Sequence, residues 1–270
     1  MTKNKAKPFI HPTAVVEEGA KLGAGVQVGP YCHIGPHVVL KEGVQVISHA
    51  VITGFTEVGE NTKIYPFASL GGSPQFIGYD NEPSKIIIGK NNLIREHVTI
   101  HPGTKKGGML TRIGDSCMIM VACHIAHDCR VGNGVIMANN ATLGGHVTVG
   151  DFAIIGGLSG IHQNVRLGQG CIIGGLSGVE GDVIPYGSVL GNRARLCGLN
   201  LVGLKRQGVS RQDIHGIRTA YRLLFANEGT LAERMEDVVG LFKKDPYVMQ
   251  IVKFLKENGT HNLRPLCLPE

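Results

Sequence analysis

The chain has 270 residues, of which 39 are glycine and none is tryptophan, and its net charge is +6. Abundant glycine with few aromatic residues is typical of a thin, turn-rich architecture and argues against a thick globular core. The charge is too small and too dispersed to indicate a nucleic-acid-binding protein, although it would favour an acidic partner. No signal peptide, membrane span or disulfide framework is evident, and we expect a cytoplasmic protein.

An aliphatic residue recurs at every sixth position of the first two thirds of the chain. The series runs from Ile10 to Leu70, resumes at Ile88, breaks again before Ile113 and continues to Val179. Only Met137 among its 26 positions departs from Ile, Leu or Val. A second inward position in each hexad is mostly small, as expected for a narrow triangular prism with six residues per side. The pattern therefore predicts a mainly β chain that forms a parallel β-helix of hexapeptide repeats.

The C-terminal part changes to a helical period. Ser210 and Thr230 each precede an acidic residue by three positions, which is the spacing of a helix N-cap, and a third helix is predicted over 247–257. We predict a prism over residues 1–190 with loop insertions at 76–87 and 106–112. Residues 191–270 are predicted to form a connector and a small C-terminal α-helical domain, and the stretch 184–209 has no clear period.

Counting hexads by threes predicts which polar residues share a side of the prism. If both breaks are looped out, five hexads that begin at Leu70, Ile100, Ile125, Leu143 and Ile161 stack on one side. They carry Gln75, His101, His127, His146 and His162. Because both loops leave the prism near this side, we predict a polar cleft there.

Three cysteines also recur at the six-residue spacing. Cys117, Cys123 and Cys129 fall on three different sides with their side chains inward, so they cannot converge on one tetrahedral ion and are predicted to fill the core. No metal is predicted. A zinc site made only of histidines stays open as an alternative.

Several longer segments resemble the UDP-N-acetylglucosamine O-acyltransferase family, one of the hexapeptide-repeat acyltransferases. The matching segments are 94–101, 124–129, 139–146, 161–163, 182–186 and 203–206, and the resemblance covers nearly the whole chain. It implies a left-handed β-helix and a homotrimer with active sites between adjacent subunits. It also implies transfer of a 3-hydroxyacyl chain from acyl carrier protein to the sugar 3-position of UDP-N-acetylglucosamine, the first step of lipid A biosynthesis.

The resemblance also assigns roles to individual residues. It implies that His127 is the general base, that Asp128 orients its ring and that the Gly145 N–H stabilises the oxyanion. Asn200 and Arg206 match family positions that contact the nucleotide or its phosphates. Other positions that match the substrate cleft are Gln75, His101, His124, His146, His162 and Gln163. No cofactor is implied beyond the phosphopantetheine of acyl carrier protein, which is expected to dock on a basic flank.

Some positions depart from the family pattern. Phe76 and Gly78 stand where the family commonly has Asp and Lys near the acceptor sugar, so the acceptor is either the 3-hydroxyl sugar or its 3-amino analogue. Val202 and Gln207 also differ from the usual nucleotide-contacting residues.

The length of the acyl chain is also left open by the sequence. Gly175 matches a position where bulk shortens the acyl pocket. Arg193 replaces a histidine at the pocket floor, where a longer charged side chain either shortens the pocket or turns away towards solvent.

Two other kinds of function remain open from the residues alone. One is a related prism acyltransferase, such as the later N-acyltransferase of the same pathway, which usually has an extra N-terminal domain. This chain enters its repeat at Ile10, which counts against that alternative. The other is a zinc hydratase or a non-catalytic scaffold.

Overall fold

The computed structural model describes residues 6–257 and 264–269. Its strands in chain order are β1 (Phe9–Ile10), β2 (Val15–Val16), β3 (Lys21–Leu22), β4 (Gln27–Val28), β5 (His33–Ile34), β6 (Val39–Leu40), β7 (Gln45–Val46), β8 (Val51–Ile52), β9 (Phe55–Val58), β10 (Lys63–Ile64), β11 (Ser69–Leu70), β12 (Lys85–Ile88), β13 (Leu93–Ile94), β14 (Thr99–Ile100), β15 (Leu110–Ile113), β16 (Met118–Ile119), β17 (His124–Ile125), β18 (Arg130–Val131), β19 (Ile136–Met137), β20 (Thr142–Leu143), β21 (Thr148–Val149), β22 (Ile154–Ile155), β23 (Gly160–Ile161), β24 (Arg166–Leu167), β25 (Ile172–Ile173), β26 (Gly178–Val179), β27 (Gly187–Leu190) and β28 (Arg195–Leu199).

Successive strands pass in turn through three sheets, so every third strand is a neighbour. The first sheet runs from β1 to β28, the second from β2 to β26 and the third from β3 to β24. Among the strands that the structure describes, all the pairings are parallel except the hairpin of β27 and β28. Ile100, Ile125 and Leu143 are direct partners in the second sheet. The stacking predicted by counting hexads in threes is therefore confirmed.

The core is a column of aliphatic side chains inside the three sheets. Ile34, Ile64 and Ile125 are completely buried at the strand positions, while Ala50 and Cys123 are completely buried at the small positions. A side of only six residues encloses too little space for larger groups, which explains the scarcity of aromatic residues.

Two loops interrupt the coils, and their bounds differ from the predicted ones. The first loop covers 71–84, because Lys85–Ile88 pairs along its whole length with Phe55–Val58. The second covers 101–109 and contains the short 3₁₀ helix Lys105–Gly107, and Leu110–Ile113 pairs with Lys85–Ile88. In both places a strand of four residues starts before the hexad repeat is recognisable in the sequence.

In the described part of the chain four α-helices follow the prism: α1 (Leu201–Arg206), α2 (Arg211–Leu224), α3 (Leu231–Phe242) and α4 (Pro246–Lys256). The predicted caps of α2 and α3 are confirmed, since Ser210 accepts from the Asp213 N–H and Thr230 forms a capping box with Glu233. α4 begins at Pro246, one residue earlier than predicted, because Asp245 caps it.

The hairpin of β27 and β28 spans the boundary that we predicted at residue 190 and extends the first sheet. None of the helices in the described ranges has the length and apolar character needed to cross a lipid bilayer.

Candidate active site

The turns between the second and third sheets form one corner of the prism, here called the histidine corner (His127, Asp128, His146, Asn164). Asp128, His146 and Asn164 occupy equivalent turn positions with φ of 61°, 63° and 66°. Both loops leave the prism directly after strands of the second sheet, β11 and β14, so they flank this corner. The structure therefore brings the predicted histidines and both insertions together.

The closest contact at the corner joins His127 and Asp128. His127 Nδ1 lies 2.8 Å from Asp128 Oδ2, and the carboxylate is fully buried. Adjacent residues on a straight strand would point in opposite directions, but the left-handed backbone of Asp128 turns the chain and brings the two side chains together.

The carboxylate of Asp128 is held by the second loop. Thr104 donates its backbone N–H to Oδ1 at 2.8 Å and its hydroxyl to Oδ2 at 2.7 Å. Thr111 Oγ1 accepts the backbone N–H of Asp128 at 2.8 Å. A Cβ on Gly107 would lie 1.9 Å from the Asp128 carboxyl carbon, so only glycine fits there. These loop residues were not predicted from the sequence, in which the Gly107-Gly108 pair inside the second break was the available signal.

These contacts keep the Asp128 carboxyl ionised. Burial alone would raise the pKa of Asp128. The hydrogen bonds from His127 and from both donors of Thr104 outweigh this effect, so the pKa of Asp128 lies below its ordinary value. An ionised carboxylate can only accept, so His127 Nδ1 carries the proton in this hydrogen bond. In the neutral ring Nε2 is then free to take a proton.

Three neighbouring histidines are kept neutral by their surroundings. Burial, with the nearby imidazoles of His124 and His127, lowers the pKa of His101 to about 4. Burial and His127 also lower the pKa of His124, whose Nδ1 lies 2.7 Å from Thr99 Oγ1. The pKa of His146 is lowered by burial and by His127, and Asp128 only partly opposes this.

Gly145 lies directly beside the His127 ring. A Cβ at this position would be 2.6 Å from His127 Cε1 and 2.7 Å from Nε2. Within the part of the chain that the structure describes, the Gly145 N–H has no hydrogen-bond acceptor, whereas its carbonyl accepts from Asn164 N–H at 2.9 Å. The residue therefore offers a free backbone donor next to the imidazole.

The first loop also contacts His127. The Phe76 ring lies 5.2 Å from the His127 ring, and a Cβ on Gly78 would come within 2.9 Å of the Phe76 ring. The two departures from the family pattern are thus physically linked, because Phe76 occupies the space that a side chain at position 78 would need. Gln75 is exposed on the same loop.

Some of the remaining predicted residues lie at this corner and others lie elsewhere. His162 and Gln163 are exposed directly after β23, in the same turn of the histidine corner as Asn164, and Arg264 Nε donates to the Gln163 carbonyl at 3.0 Å. Asn200 is buried as the N-cap of α1, since its side chain accepts from Gly203 N–H and donates to the Gly170 carbonyl. Arg206 is exposed in the last turn of that helix.

Gly175 lies on a different corner, between the first and second sheets. We call it the leucine corner (Gly175, Leu158, Leu176). The exposed fraction is 61% for Leu158 and 71% for Leu176. Arg193 lies in the tip of the hairpin, beside an open cavity of about 280 Å³ that is also lined by Pro265–Leu268. The predicted acyl-pocket residues are therefore not adjacent to His127 within one chain.

One group of side chains at the histidine corner could hold a metal ion. Within the described residues, His127, Asp128 and His146 offer three ligand atoms that lie within 4.8 Å of one another. The cysteines offer no such site, because Cys117, Cys123 and Cys129 are buried in the prism core. Burial raises their pKa values to about 11, 11 and 12, so they remain thiols.

Comparison with known proteins agrees with this arrangement. Residues 110–145 match the family model for bacterial transferase hexapeptide repeats, and residues 182–266 match the model for UDP-N-acetylglucosamine O-acyltransferase domain 2. The fold is also that of UDP-N-acetylglucosamine acyltransferase from Campylobacter jejuni, with a TM-score of 0.89 and 40% identity over 95% of this chain and 99% of the other. The fold is therefore a left-handed parallel β-helix with a small helical C-terminal part, as predicted.

Two relatives that carry the same name are similar along almost their whole length. The acyl-[acyl-carrier-protein]–UDP-N-acetylglucosamine O-acyltransferase of Caulobacter vibrioides is 51% identical over 97% of this chain and 98% of its own. The protein of that name from Rickettsia canadensis is 51% identical over 93% of this chain and 95% of its own. The chain belongs to the acyl-[acyl-carrier-protein]–UDP-N-acetylglucosamine O-acyltransferase family and is an acyltransferase.

Proposed function

We propose that the enzyme transfers a 3-hydroxyacyl chain from acyl carrier protein to the 3-position of UDP-N-acetylglucosamine or its 3-amino analogue. In the family's pathway this is the first step of lipid A biosynthesis. The observation that supports it best is the buried, ionised Asp128, which holds His127 in one tautomer beside the free N–H of Gly145.

The chemistry follows from that geometry. His127 Nε2 takes a proton from the 3-hydroxyl or the neutral 3-amine of the sugar, while the oxygen or nitrogen of that group attacks the thioester carbonyl. The oxyanion that forms is stabilised by the Gly145 N–H, and collapse breaks the C–S bond. The leaving phosphopantetheine thiolate then receives the proton from His127. The acyl group passes directly between substrates, so no covalent enzyme intermediate and no resident metal is needed.

The test is acyl transfer with a panel of carrier-bound chain lengths, comparing the natural chain with His127→Ala. We expect the variant to lose at least about two orders of magnitude in kcat, the upper part of what a general base contributes. His33→Ala is the matched control, since His33 also contacts a carboxylate, Glu17 at 2.6 Å, but is half-buried and lies far down the prism. Full activity in His127→Ala would refute the assignment.

The acceptor is proposed to include the 3-amino sugar. Phe76 places an apolar ring against His127 where the family commonly has a charged side chain, and Gly78 leaves no second polar group. An apolar wall disfavours a charged acceptor but accepts a neutral amine, which is a stronger nucleophile than a hydroxyl. Turnover of both sugars should be compared side by side, and reaction of the 3-hydroxyl sugar alone would sink this part of the proposal.

The working unit is proposed to be a homotrimer with clefts between subunits. His127 and Gly175 lie on opposite ends of the second-sheet side, which is about 20 Å long when six residues are extended. The acyl pocket beside His127 is therefore best completed by the leucine corner of a neighbouring copy. The exposed leucines of that corner are suited to such an apolar contact.

Acyl carrier protein is proposed to dock on α2. Arg211, His215, Arg218 and Arg222 are all exposed and spaced by four, three and four residues, so they form one stripe along the helix. Carrier proteins of this kind are acidic, and a basic stripe would steer them by charge complementarity.

A zinc-dependent reaction is the second candidate, because His127, Asp128 and His146 are close enough to share an ion. Metal analysis of the purified protein, with activity measured before and after chelation, separates the two candidates. Stoichiometric zinc whose removal abolishes turnover would favour the metal reaction. Unchanged turnover after chelation would favour the base mechanism.

A further inference from the structure

Glu82 is a buried carboxylate in the first loop, and nothing in the mechanism above uses it. Its side chain Oε1 accepts the backbone N–H of Lys105 at 3.0 Å, and Oε2 accepts that of Asp80 at 2.8 Å. Only 7% of the residue is exposed. It therefore bridges the first loop to the 3₁₀ helix of the second loop.

The amide bound by Glu82 is adjacent to the one that binds Asp128. Thr104 N–H donates to Asp128 Oδ1 at 2.8 Å, and the next N–H along the chain, that of Lys105, donates to Glu82. Thr104 is itself buried and its carbonyl accepts from Gly107 and Met109, so it cannot turn without disturbing the whole second loop. Two buried carboxylates thus hold two successive peptide groups.

The contacts on Glu82 keep it charged. Hydrogen bonds from the Lys105 amide and the Asp80 amide lower the pKa of Glu82 below its ordinary value, and the Lys105 charge adds to this. An ionised carboxylate accepts at both oxygens, which is what a bridge between two N–H donors requires.

We propose that Glu82 is a positioning residue for the catalytic pair. By accepting the Lys105 N–H it holds the second loop so that Thr104 keeps Asp128 aligned with His127. It touches no reacting atom. This inference rests on the proposed function for its kinetic consequence, while the structural coupling to His127 can be measured without turnover.

The kinetic test is a double-mutant cycle with Asp128. Glu82→Ala alone should lower kcat roughly tenfold to a hundredfold, the range expected when a catalytic group is misplaced by a fraction of an ångström to an ångström. In an Asp128→Asn background the same change should cost less than about twofold, because the group through which Glu82 acts has already been disabled. An equal loss in both backgrounds would overturn the proposal, as would an unchanged kcat in Glu82→Ala.

The second readout is the proton on His127 Nδ1, observed by ¹H NMR in the substrate-free enzyme. Its downfield resonance, identified by its absence in His127→Ala, should shift upfield or broaden in Glu82→Ala. A chain that transfers no acyl group would refute the proposed function, yet this resonance would still decide the role of Glu82. An unaltered resonance in Glu82→Ala refutes the coupling.

Two further variants guard against simple loss of folding. Glu82→Gln keeps the shape and one acceptor oxygen, so it should fold and show a smaller version of both effects; if it matches the natural chain in rate and resonance, the proposal fails. Glu57→Ala removes a half-buried prism carboxylate that pairs with Lys41 at 3.0 Å, and it should change neither readout.

Discussion

The His101 ring lies edge-on to that of His124, with ring centres 5.0 Å apart, and its Nδ1 is buried without a hydrogen-bond partner in the described structure. Its pKa of about 4 lies below its ordinary value of 6.5, so the unfolded chain binds a proton between these values and the folded chain does not. The contribution of neutral His101 to the free energy of unfolding is therefore fully present above pH 6.5 and is lost as the pH falls towards 4.

This difference predicts a pH-dependent stability. His101→Asn should flatten the decline of Tm between pH 7 and pH 4.5, removing at most about 3 kcal/mol of pH-dependent free energy of unfolding. The measurement is thermal unfolding followed by circular dichroism across that range. His215→Asn, on the exposed face of α2, is the control and should leave the slope unchanged. A parallel curve for His101→Asn would show that this histidine does not set the slope.

Gly145 provides a second prediction at the residue scale. Gly145→Ala places a methyl group 2.7 Å from His127 Nε2, so the ring must move away from its productive position. We expect kcat to fall roughly a hundredfold with little change in folding. Gly160→Ala, in β23 of the second sheet, is the control, since a Cβ there has no heavy atom within 4 Å. Equal activities in the two variants would contradict the proposed closeness of Gly145 to the reaction.

At the scale of single elements, the basic stripe on α2 predicts how carrier recognition should respond to charge. Arg218→Gln should raise the KM for the acyl carrier protein several-fold with kcat retained, and the effect should shrink at high salt. Gln212→Glu changes the net charge by the same amount on the same helix but off the stripe, so it should raise KM less. If both variants behave alike, the net charge and not the stripe is what matters.

The elements also show what the sequence can and cannot predict. The period of six predicted the prism, the burial of the cysteines and the stacking of His101, His127 and His146. Each of these features depends only on the position of a residue within the six-residue repeat. The hairpin Gly187–Leu190 with Arg195–Leu199 was missed because it is antiparallel and has no hexad. Glu82 and Thr104 were missed because loop residues far apart in sequence meet through backbone N–H groups, which leave no pattern of residue types.

At the scale of the whole molecule, the three corners of the prism carry different parts of the predicted site. His127 lies at the histidine corner, Gly175 at the leucine corner, and Asn200 beside Gly170 at the third corner. His127 and Gly175 are also three coils apart, which corresponds to about 14 Å along the prism axis. A cleft that uses both residues is therefore most simply made by two copies of the chain in a cyclic assembly.

A shared cleft predicts complementation between two inactive variants. His127→Ala removes the base, and Gly175→Trp should block the acyl pocket for the donor that the natural enzyme uses best. If each cleft takes His127 from one chain and Gly175 from its neighbour, every trimer that contains both kinds of chain has one cleft in three with neither change, so the purified mixed trimers should regain about one third of the natural activity. The measurement is turnover of mixed trimers purified through two different tags, with the two separate homotrimers as controls.

If both residues served the same cleft from one chain, every cleft would carry one change and the mixture would stay inactive. If Gly175→Trp trimers remain active with every donor length, then Gly175 does not line the acyl pocket at all.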